Sequence, residues 1–359
     1  MTNSTFPGKI AVITNLPSHT QDDEETWAAA QIISKYSTDK AIHVNWPSFY
    51  TREPEAVKAV VASLAVDREI KVLIMNQAVP GCNAAIETFK KIRDDIFVVY
   101  CVPHESFADS AAHADLILRG NEAKIGLTVV KQAKKQGAKA FVHYSFPRHM
   151  SALHHIKRRD LIRDTCAAEG LLFVDATALD PIDDMYNALQ FILGDVPRRT
   201  SEYGEDTAFY STNCFLQEPL IKAVMDSRAI YPQPCCPSPY HGFLEALGIE
   251  APGDEAPSLS YTISESRRII AGKNMTGRLS TWPVSLPMML PHVGAEYAIK
   301  WLTGQVPERG IDDEALLDCM GAYVKEVSNE DIGISMTSYS EEGVVYDNFK
   351  MFHMDYLNL

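Results

Sequence analysis

The chain has 359 residues, of which 46% are hydrophobic, so it can form two or three packed domains and is too apolar to be intrinsically disordered. Its formal net charge is −14, and a negative surface repels phosphate backbones, which argues against nucleic-acid binding. The sequence has no apolar run of about 18 residues, so no membrane span is predicted, and its polar first residues lack the apolar stretch of a signal peptide.

The first third of the chain alternates short apolar runs with helical patterns. The runs predict strands over 9–14, 41–45, 71–75, 96–101 and 115–118. Asn83 is a candidate N-cap for the helix that carries Ile86 and Phe89. Strands this apolar are typical of a parallel sheet that helices cover on both faces. The alternating order therefore predicts a doubly wound α/β lobe.

The same alternation restarts at Asn121, which is predicted to cap a helix. Further strands are predicted over 138–144, 171–175, 207–212 and 259–263, and helices over 151–169, 184–193, 218–227, 265–272, 293–303 and 313–327. Residues 280–289 contain two prolines and fit a hinge or cleft-edge segment. We expect a first α/β lobe of residues 1–120 plus about 281–310, and a second of 121–280 plus about 311–359.

Motifs for nucleotide cofactors and for a serine nucleophile are absent, so no cofactor is predicted. The seven cysteines are irregularly spaced, and adjacent Cys235 and Cys236 do not form a zinc pattern. His154 and His155 point about 100° apart on a helix, which disfavours a shared metal, so no metal site is predicted. Several free thiols suit a reducing compartment. The chain as given is expected to be cytoplasmic, or extracytoplasmic if a signal segment has been removed.

Short fragments in this order of elements carry a resemblance to a known superfamily. They are Leu118-Arg119-Gly120-Asn121, Ser145-Phe146-Pro147-Arg148, the helix start 217–223, and Thr281-Trp282-Pro283. The chain resembles the periplasmic-binding-protein type I superfamily, which includes solute-binding lipoproteins and the sensory domains of lactose-repressor-like regulators. More narrowly, it resembles an uncharacterised bacterial family of that fold. The resemblance implies two lobes with a ligand cleft between them. We expect no DNA-binding segment, because the first strand begins at Lys9.

Ligands of open parallel sheets bind outside the carboxyl ends of the strands. The residues that follow the predicted strands are therefore the candidate ligand-binding residues: Asn15, Ser18, Asn76, Gln77, His104 and Glu105 in the first lobe, and Ser145, Arg148, Asp175, Thr177 and Asn213 in the second. Tyr240 and Trp282 lie in flanking loops where they could stack on a ring. The guanidinium of Arg148 can grip a carboxylate, a phosphate or vicinal hydroxyls. By position, Arg148 also resembles an arginine of sugar-sensing relatives.

The sequence favours a binding protein or sensor, rather than an enzyme, for a small polar ligand such as a sugar, nucleoside, amino acid or carboxylate. Two alternatives stay open. One is an enzyme that uses the same cleft, with His104, His143, Asp175 or Cys82 in the chemistry. The other is a regulatory module that binds a protein partner through one lobe. By resemblance a homodimer is plausible, and a transporter or signalling partner is conceivable without being identified.

Overall fold

The computed structural model describes residues 6–17, 21–48, 50, 53–250, 256–328 and 332–359. The chain divides into two compact units. The first consists of Met1–Gly120 and Pro287–Phe352, and the second of Asn121–Leu286 and His353–Leu359. Within the described residues, every helix is too short or too polar to cross a membrane.

Strands and helices alternate along most of the chain. The strands are β1 (Lys9–Thr14), β2 (Ala41–Asn45), β3 (Ile70–Asn76), β4 (Phe97–Cys101), β5 (Leu116–Gly120), β6 (Ala140–Ser145), β7 (Leu172–Thr177), β8 (Thr207–Ser211), β9 (Ser280–Thr281), β10 (Ile334–Glu341), β11 (Val344–Met354) and β12 (Leu357–Asn358). The helices are α1 (Gln21–Tyr36), α2 (Pro54–Leu64), α3 (Cys82–Ile92), α4 (Phe107–His113), α5 (Glu122–Lys135), α6 (Leu153–Glu169), α7 (Met185–Tyr203), α8 (Gln217–Asp226), α9 (Phe243–Leu247), α10 (Leu259–Gly272), α11 (Leu286–Leu302) and α12 (Asp313–Ser328).

The first unit is built on one sheet with the strand order β10-β11-β5-β4-β3-β1-β2. Strands β1 to β5 pair in parallel, and their apolar side chains are buried because helices cover the sheet. Strand β11 pairs in parallel with β5, with Phe349 opposite Ile117. Residues 311–352 therefore belong to the first unit, which corrects their predicted place in the second lobe. Hydrophobic packing accounts for this placement, because the ring of Phe349 lies 5.1 Å from that of Phe107 in the hydrophobic core of the first unit.

Helix α3 begins earlier than the sequence suggested. Its N-cap is Gly81, whose φ of 99° lies in the left-handed region that glycine tolerates. Asn83 therefore lies inside the first turn and does not cap the helix. Its side-chain amide instead donates to the carboxylate of Asp109 at 2.7 Å. The same helix buries Ile86 and Phe89 against the sheet, as their spacing predicted.

The second unit has a parallel sheet with the order β7-β6-β8, and β9 pairs antiparallel with β12. Three sequence predictions differ from the structure here. The predicted strand over 259–263 is the start of α10, because Leu259, Ile263 and Ile270 are buried at helical spacing. The helix predicted over 184–193 continues to Tyr203 as α7. The last residues of the predicted hinge segment, from Leu286, are also helical.

Candidate functional site

The first unit brings two of the predicted asparagines to one end of its sheet. Strands β1 and β3 are neighbours with Ile13 opposite Met75, so Asn15 and Asn76 both lie at their carboxyl ends. Both residues are buried. The Nδ2 of Asn76 donates to the carbonyl of Pro287 at 3.3 Å, and the carbonyl of Asn15 accepts from Asn45 at 3.1 Å. These bonds fix the side-chain amide of Asn76 and the backbone of Asn15 at the strand ends.

Gln77 adds a buried polar network next to Asn76. Its backbone adopts a φ of 56°, a conformation that most side chains avoid. Its Nε2 donates to the carboxylate of Glu25 at 2.7 Å, and its carbonyl accepts the indole N–H of Trp46 at 3.1 Å. Glu25 was not predicted as a site residue, because the sequence marks it only as part of an acidic run at the start of a helix. Ser18 lies outside the described residues.

His104 and Glu105 follow β4. The carboxylate of Glu105 accepts the backbone N–H of Asn83 at 2.9 Å, in the first turn of α3. A carboxylate at this position stabilises the helix start, because it faces the positive end of the helix dipole. His104 is exposed, and its backbone N–H donates to the carbonyl of Ala78 at 3.0 Å. Glu105 thus has a structural role that the sequence did not indicate.

In the second unit, hydroxyl and amide groups gather at the carboxyl ends of the strands. Ser145 ends β6 and lies directly opposite Thr177, which ends β7. Asn213 follows β8, and its side chain accepts the N–H of Phe215 at 3.0 Å. Ser145 and Asn213 are buried, whereas Thr177 is exposed. This end of the sheet therefore offers donors and acceptors of the kind that hydrogen-bond neutral polar ligands.

Arg148 forms a two-pronged ion pair with Asp180. Its Nε and Nη2 donate to the two carboxylate oxygens of Asp180 at 2.7 and 2.8 Å. The side chain of Arg148 is 44% exposed and that of Asp180 only 9%. Hydrogen bonding from Arg148 holds the pKa of Asp180 below its usual range. The ion pair therefore orients the guanidinium of Arg148 and balances much of its positive charge before any ligand binds.

Asp175 lies within β7 and not at its end, because the strand continues to Thr177. Its carboxylate is 3.3 Å from Nδ1 of His143, which is fully buried. Burial lowers the pKa of His143, and the hydrogen bond to Asp175 opposes that shift. Cys82, the thiol of the enzyme alternative, is also fully buried, and burial raises its pKa well above the usual range. His143 and Cys82 therefore present no reactive atom at the surface.

The two predicted stacking residues are part of the interior. The ring of Trp282 is fully buried and meets His353 edge to face at 5.5 Å. Tyr240 is 6% exposed, and its hydroxyl donates to the carbonyl of Pro257 at 2.9 Å. Neither ring presents a face for stacking on a ligand, which corrects the expectation drawn from their loops.

A cluster of histidines lies near the start of α6, where the sequence analysis considered only His154 and His155. The rings of His149 and His155 stack at 4.7 Å, and ligand atoms of Glu122, His154 and His155 lie within 4.8 Å of one another. Nη2 of Arg158 is 3.0 Å from His155, and its Nη1 is 3.7 Å from Glu122. Burial, with the charge of Arg148 adjoining, lowers the pKa of His149 to about 4. The Arg158 charge opposes binding of a cation at this cluster.

Three cysteines and a histidine meet in the second unit. The sulfur of Cys214 lies 3.5 Å from that of Cys235 and 3.9 Å from that of Cys236, and Cys235 lies 3.7 Å from Nε2 of His241. Burial alone raises the pKa of Cys235, but side-chain hydrogen bonding with Cys214 and Cys236 and the Arg158 charge bring it well below the usual range. The sequence analysis rejected Cys235 and Cys236 as metal ligands on spacing. Such spacing patterns do not describe a cluster whose members come from two separate loops.

A family model described as "Protein of unknown function (DUF3798)" matches residues 8–280. The chain belongs to the DUF3798 family. An uncharacterized protein of Treponema pallidum (strain Nichols) is 33% identical to this DUF3798 protein over 165 residues, which is 45% of this chain and 76% of that protein. A second Treponema pallidum protein is 31% identical over 141 residues, or 39% of this chain and 63% of that protein.

Solved structures place this DUF3798 protein in a known fold. A candidate transcriptional regulator from Clostridium difficile 630 superposes with a TM-score of 0.80 at 20% identity, over 99% of this chain and 100% of that chain. A periplasmic solute binding protein from Actinobacillus succinogenes 130z with bound D-allose gives 0.55 at 14% identity, over 87% and 99%. These neighbours have the two-lobed periplasmic-binding-protein type I fold. The predicted fold class is confirmed.

Proposed function

We propose that this DUF3798 protein is a binding protein or sensor for a small, neutral, polyhydroxylated ligand of the sugar or sugar-alcohol class. The observation that carries the proposal is the set of amide and hydroxyl groups at the carboxyl ends of the strands in each unit. Asn15 and Asn76 supply amide groups in the first unit, and Ser145, Thr177 and Asn213 supply hydroxyl and amide groups in the second. Each of these groups both donates and accepts, as does a sugar hydroxyl.

The ion pair of Arg148 and Asp180 favours a neutral ligand over a carboxylate. Asp180 occupies Nε and Nη2 of the guanidinium, so much of the positive charge that would attract an anion is already balanced. In the described part of the chain, Nη1 of Arg148 donates to no further acceptor. An Arg–Asp pair can donate to one hydroxyl and accept from its neighbour, which suits vicinal hydroxyls. The neighbour with bound D-allose agrees with this ligand class.

The topology of the parallel sheets indicates where a ligand binds. Proteins of this fold class close two lobes around a ligand by hinge motion. Open parallel sheets bind ligands outside the carboxyl ends of their strands. We therefore propose that the ligand binds at the strand ends described above. The structural similarity to a candidate transcriptional regulator, with a TM-score of 0.80 over nearly the whole of both chains, favours a role in sensing over a role in uptake.

A thermal-shift screen tests the ligand class. Sugars, sugar alcohols and cyclitols are compared with nucleosides, amino acids and small carboxylates, using protein that has been unfolded and refolded to remove any ligand acquired during expression. A ligand at about 100 times its Kd stabilises the fold by about 2.7 kcal/mol, which raises the Tm by several degrees. A shift confined to carboxylates or nucleosides contradicts the proposed class. Recovery of a chemically altered hit, seen by NMR, supports the enzyme alternative instead.

A pair of variants locates the binding. Arg148→Ala removes the proposed ligand contact, and Arg268→Ala is the matched control. Arg268 lies in the same unit on the surface of α10, and its Nε and Nη2 both donate to one carboxylate oxygen of Glu265, at 2.9 and 2.7 Å. The proposal expects the ligand-induced shift to shrink in Arg148→Ala and to persist in Arg268→Ala. Equal shifts in both variants remove Arg148 from the site.

A further inference from the structure

The cluster of Cys214, Cys235, Cys236 and His241 has no part in the proposed function. Cys214 lies three residues after the end of β8, and the other three lie in the loop before α9. The ligand atoms of Cys214, Cys235 and His241 lie within 4.8 Å of one another. The sulfur of Cys236 completes a triangle, at 3.9 Å from Cys214 and 4.0 Å from Cys235. Four potential ligands from two loops thus converge within one unit.

The spacing of these atoms matches a tetrahedral thiolate site. With metal–sulfur bonds of about 2.3 Å and metal–nitrogen bonds of about 2.0–2.1 Å, tetrahedral ligands lie about 3.8 Å apart for two sulfurs and about 3.6 Å apart for sulfur and nitrogen. The sulfur separations here are 3.5, 3.9 and 4.0 Å, and the Cys235–His241 separation is 3.7 Å. At these four separations, an ion needs displacements of only a few tenths of an ångström. Cys236 lies outside the group of Cys214, Cys235 and His241 whose ligand atoms are all within 4.8 Å of one another, so it must move closer to His241 to become the fourth ligand. A disulfide needs a separation of about 2.0 Å and would use only two of the three thiols.

The surrounding hydrogen bonds hold both loops in place before any ion binds. The side chain of Gln217 donates to the carbonyl of Asn213, next to Cys214, and accepts from the hydroxyl of Tyr231. The hydroxyl of Ser238 accepts the backbone N–H of Tyr240 at 3.0 Å and of His241 at 3.4 Å. The residues around the ligands are thus tied to buried polar groups, which is the support that metal ligands need to keep their geometry.

Burial and charge also suit a metal ion. Cys235 and His241 are buried, whereas Cys214 and Cys236 are partly exposed, so an ion has a route from solvent. Three thiolates and one imidazole around a divalent ion carry a net charge of −1. The buried guanidinium of Arg158 interacts electrostatically with Cys235 and Cys236 and supplies a counter-charge. Thiolate-rich sites select zinc and other soft cations over magnesium or calcium.

We propose that Cys214, Cys235, Cys236 and His241 bind one tetrahedral Zn²⁺-type cation. The ion links the end of β8 to the loop before α9 and stabilises this part of the second unit. Removing the ion therefore destabilises the fold, because binding free energy at such a site contributes to folding. The site is independent of the proposed sugar-binding function.

The test is a measurement of zinc content and affinity on the full chain, prepared with a phosphine reductant. Wild type is expected to hold one zinc per chain by elemental mass spectrometry. Cys214→Ala and Cys236→Ala are expected to lose more than about 100-fold in affinity, since even outer-shell changes at metal sites cost 10–100-fold. Cys166→Ala is the matched control, because Cys166 is a thiol in the hydrophobic core of the same unit. It is expected to retain the metal.

Two further measurements keep the outcome clear if a variant folds poorly. With Co²⁺ in place of zinc, the ligand-field bands report tetrahedral geometry. The thiolate charge-transfer band is expected to fall by about one third in Cys236→Ala, as three thiolates become two. A chelator is expected to lower the Tm of wild type and of Cys166→Ala but not of Cys214→Ala. The proposal is overturned if reduced wild type binds no more zinc than Cys214→Ala, or if it contains a Cys214–Cys235 disulfide under these conditions.

Discussion

Replacing Arg148 by alanine is the perturbation that the structure makes most informative, because it separates stability from binding. Arg148 is 44% exposed, so solvent screens its ion pair, and the pair contributes about 0.5–1 kcal/mol. The carboxylate of Asp180 is only 9% exposed and loses two hydrogen bonds when the guanidinium goes, though it still accepts the N–H of Ile182 at 3.0 Å. Leaving the Asp180 carboxylate without this partner adds about 1 kcal/mol to the loss of stability. We expect a total loss of about 1.5–2 kcal/mol in the free energy of unfolding.

The same variant is expected to weaken ligand binding by about 1.5–3 kcal/mol, or about 10- to 150-fold in Kd, if Arg148 makes a charge-assisted bond to the ligand. Urea unfolding measures the first quantity and calorimetric titration the second. In the double variant Arg148→Ala/Asp180→Asn, much of the stability returns because the stranded charge is gone, but the affinity does not. An unchanged Kd in Arg148→Ala, with the stability loss present, refutes the binding role and leaves a purely structural ion pair.

Two further predictions follow from the described packing. Burial lowers the pKa of His292 to about 4. As the pH falls below about 6.5, the histidine is therefore protonated in the unfolded chain before it is protonated in the folded protein. The free energy of unfolding that the neutral His292 contributes above pH 6.5 is accordingly lost as the pH falls toward 4. His292→Gln is expected to reduce this loss by about 1–2 kcal/mol at pH 5 in urea titrations, and an identical pH profile contradicts it. Gly242→Ala places a Cβ 2.8 Å from that of Gln217 at a φ of 74°, and is expected to cost about 2–4 kcal/mol. In the control Gly248→Ala, with a φ of 67° and open space, only about 1–2 kcal/mol is expected, and equal losses refute the steric argument.

Much of the fold could be predicted because parallel strands buried on both faces read as short apolar runs. Residues 9–14 and 41–45 were assigned as strands with the bounds that the structure shows. The strand predicted over 259–263 failed because β-branched and aromatic residues favour strands locally, while burial of Leu259, Ile263 and Ile270 on one side of a helix decides the outcome. Residues 311–352 were assigned to the wrong lobe because their place depends on the pairing of β11 with β5, a long-range contact that local sequence patterns do not reveal.

The candidate site was only partly predictable, for the same reason. Strand ends located Asn76 and Ser145, because the chain order fixes which residues follow a strand. Their partners come from elsewhere: Glu25 reaches Gln77 from α1, and Asp180 reaches Arg148 from a different loop. No spacing rule links such pairs. The cysteine cluster was missed because zinc patterns depend on spaced pairs such as CxxC, which Cys214, Cys235, Cys236 and His241 do not form.

The central claim is that this chain reversibly binds a small polyhydroxylated molecule. The most direct test is calorimetric titration of the refolded full chain with the best sugar or sugar alcohol from the thermal screen, followed by NMR of the released ligand. The account predicts a saturable binding heat with one site per chain and a ligand that is recovered unchanged. The absence of binding heat for every sugar, sugar alcohol and cyclitol contradicts the account, as does a ligand that is recovered chemically altered.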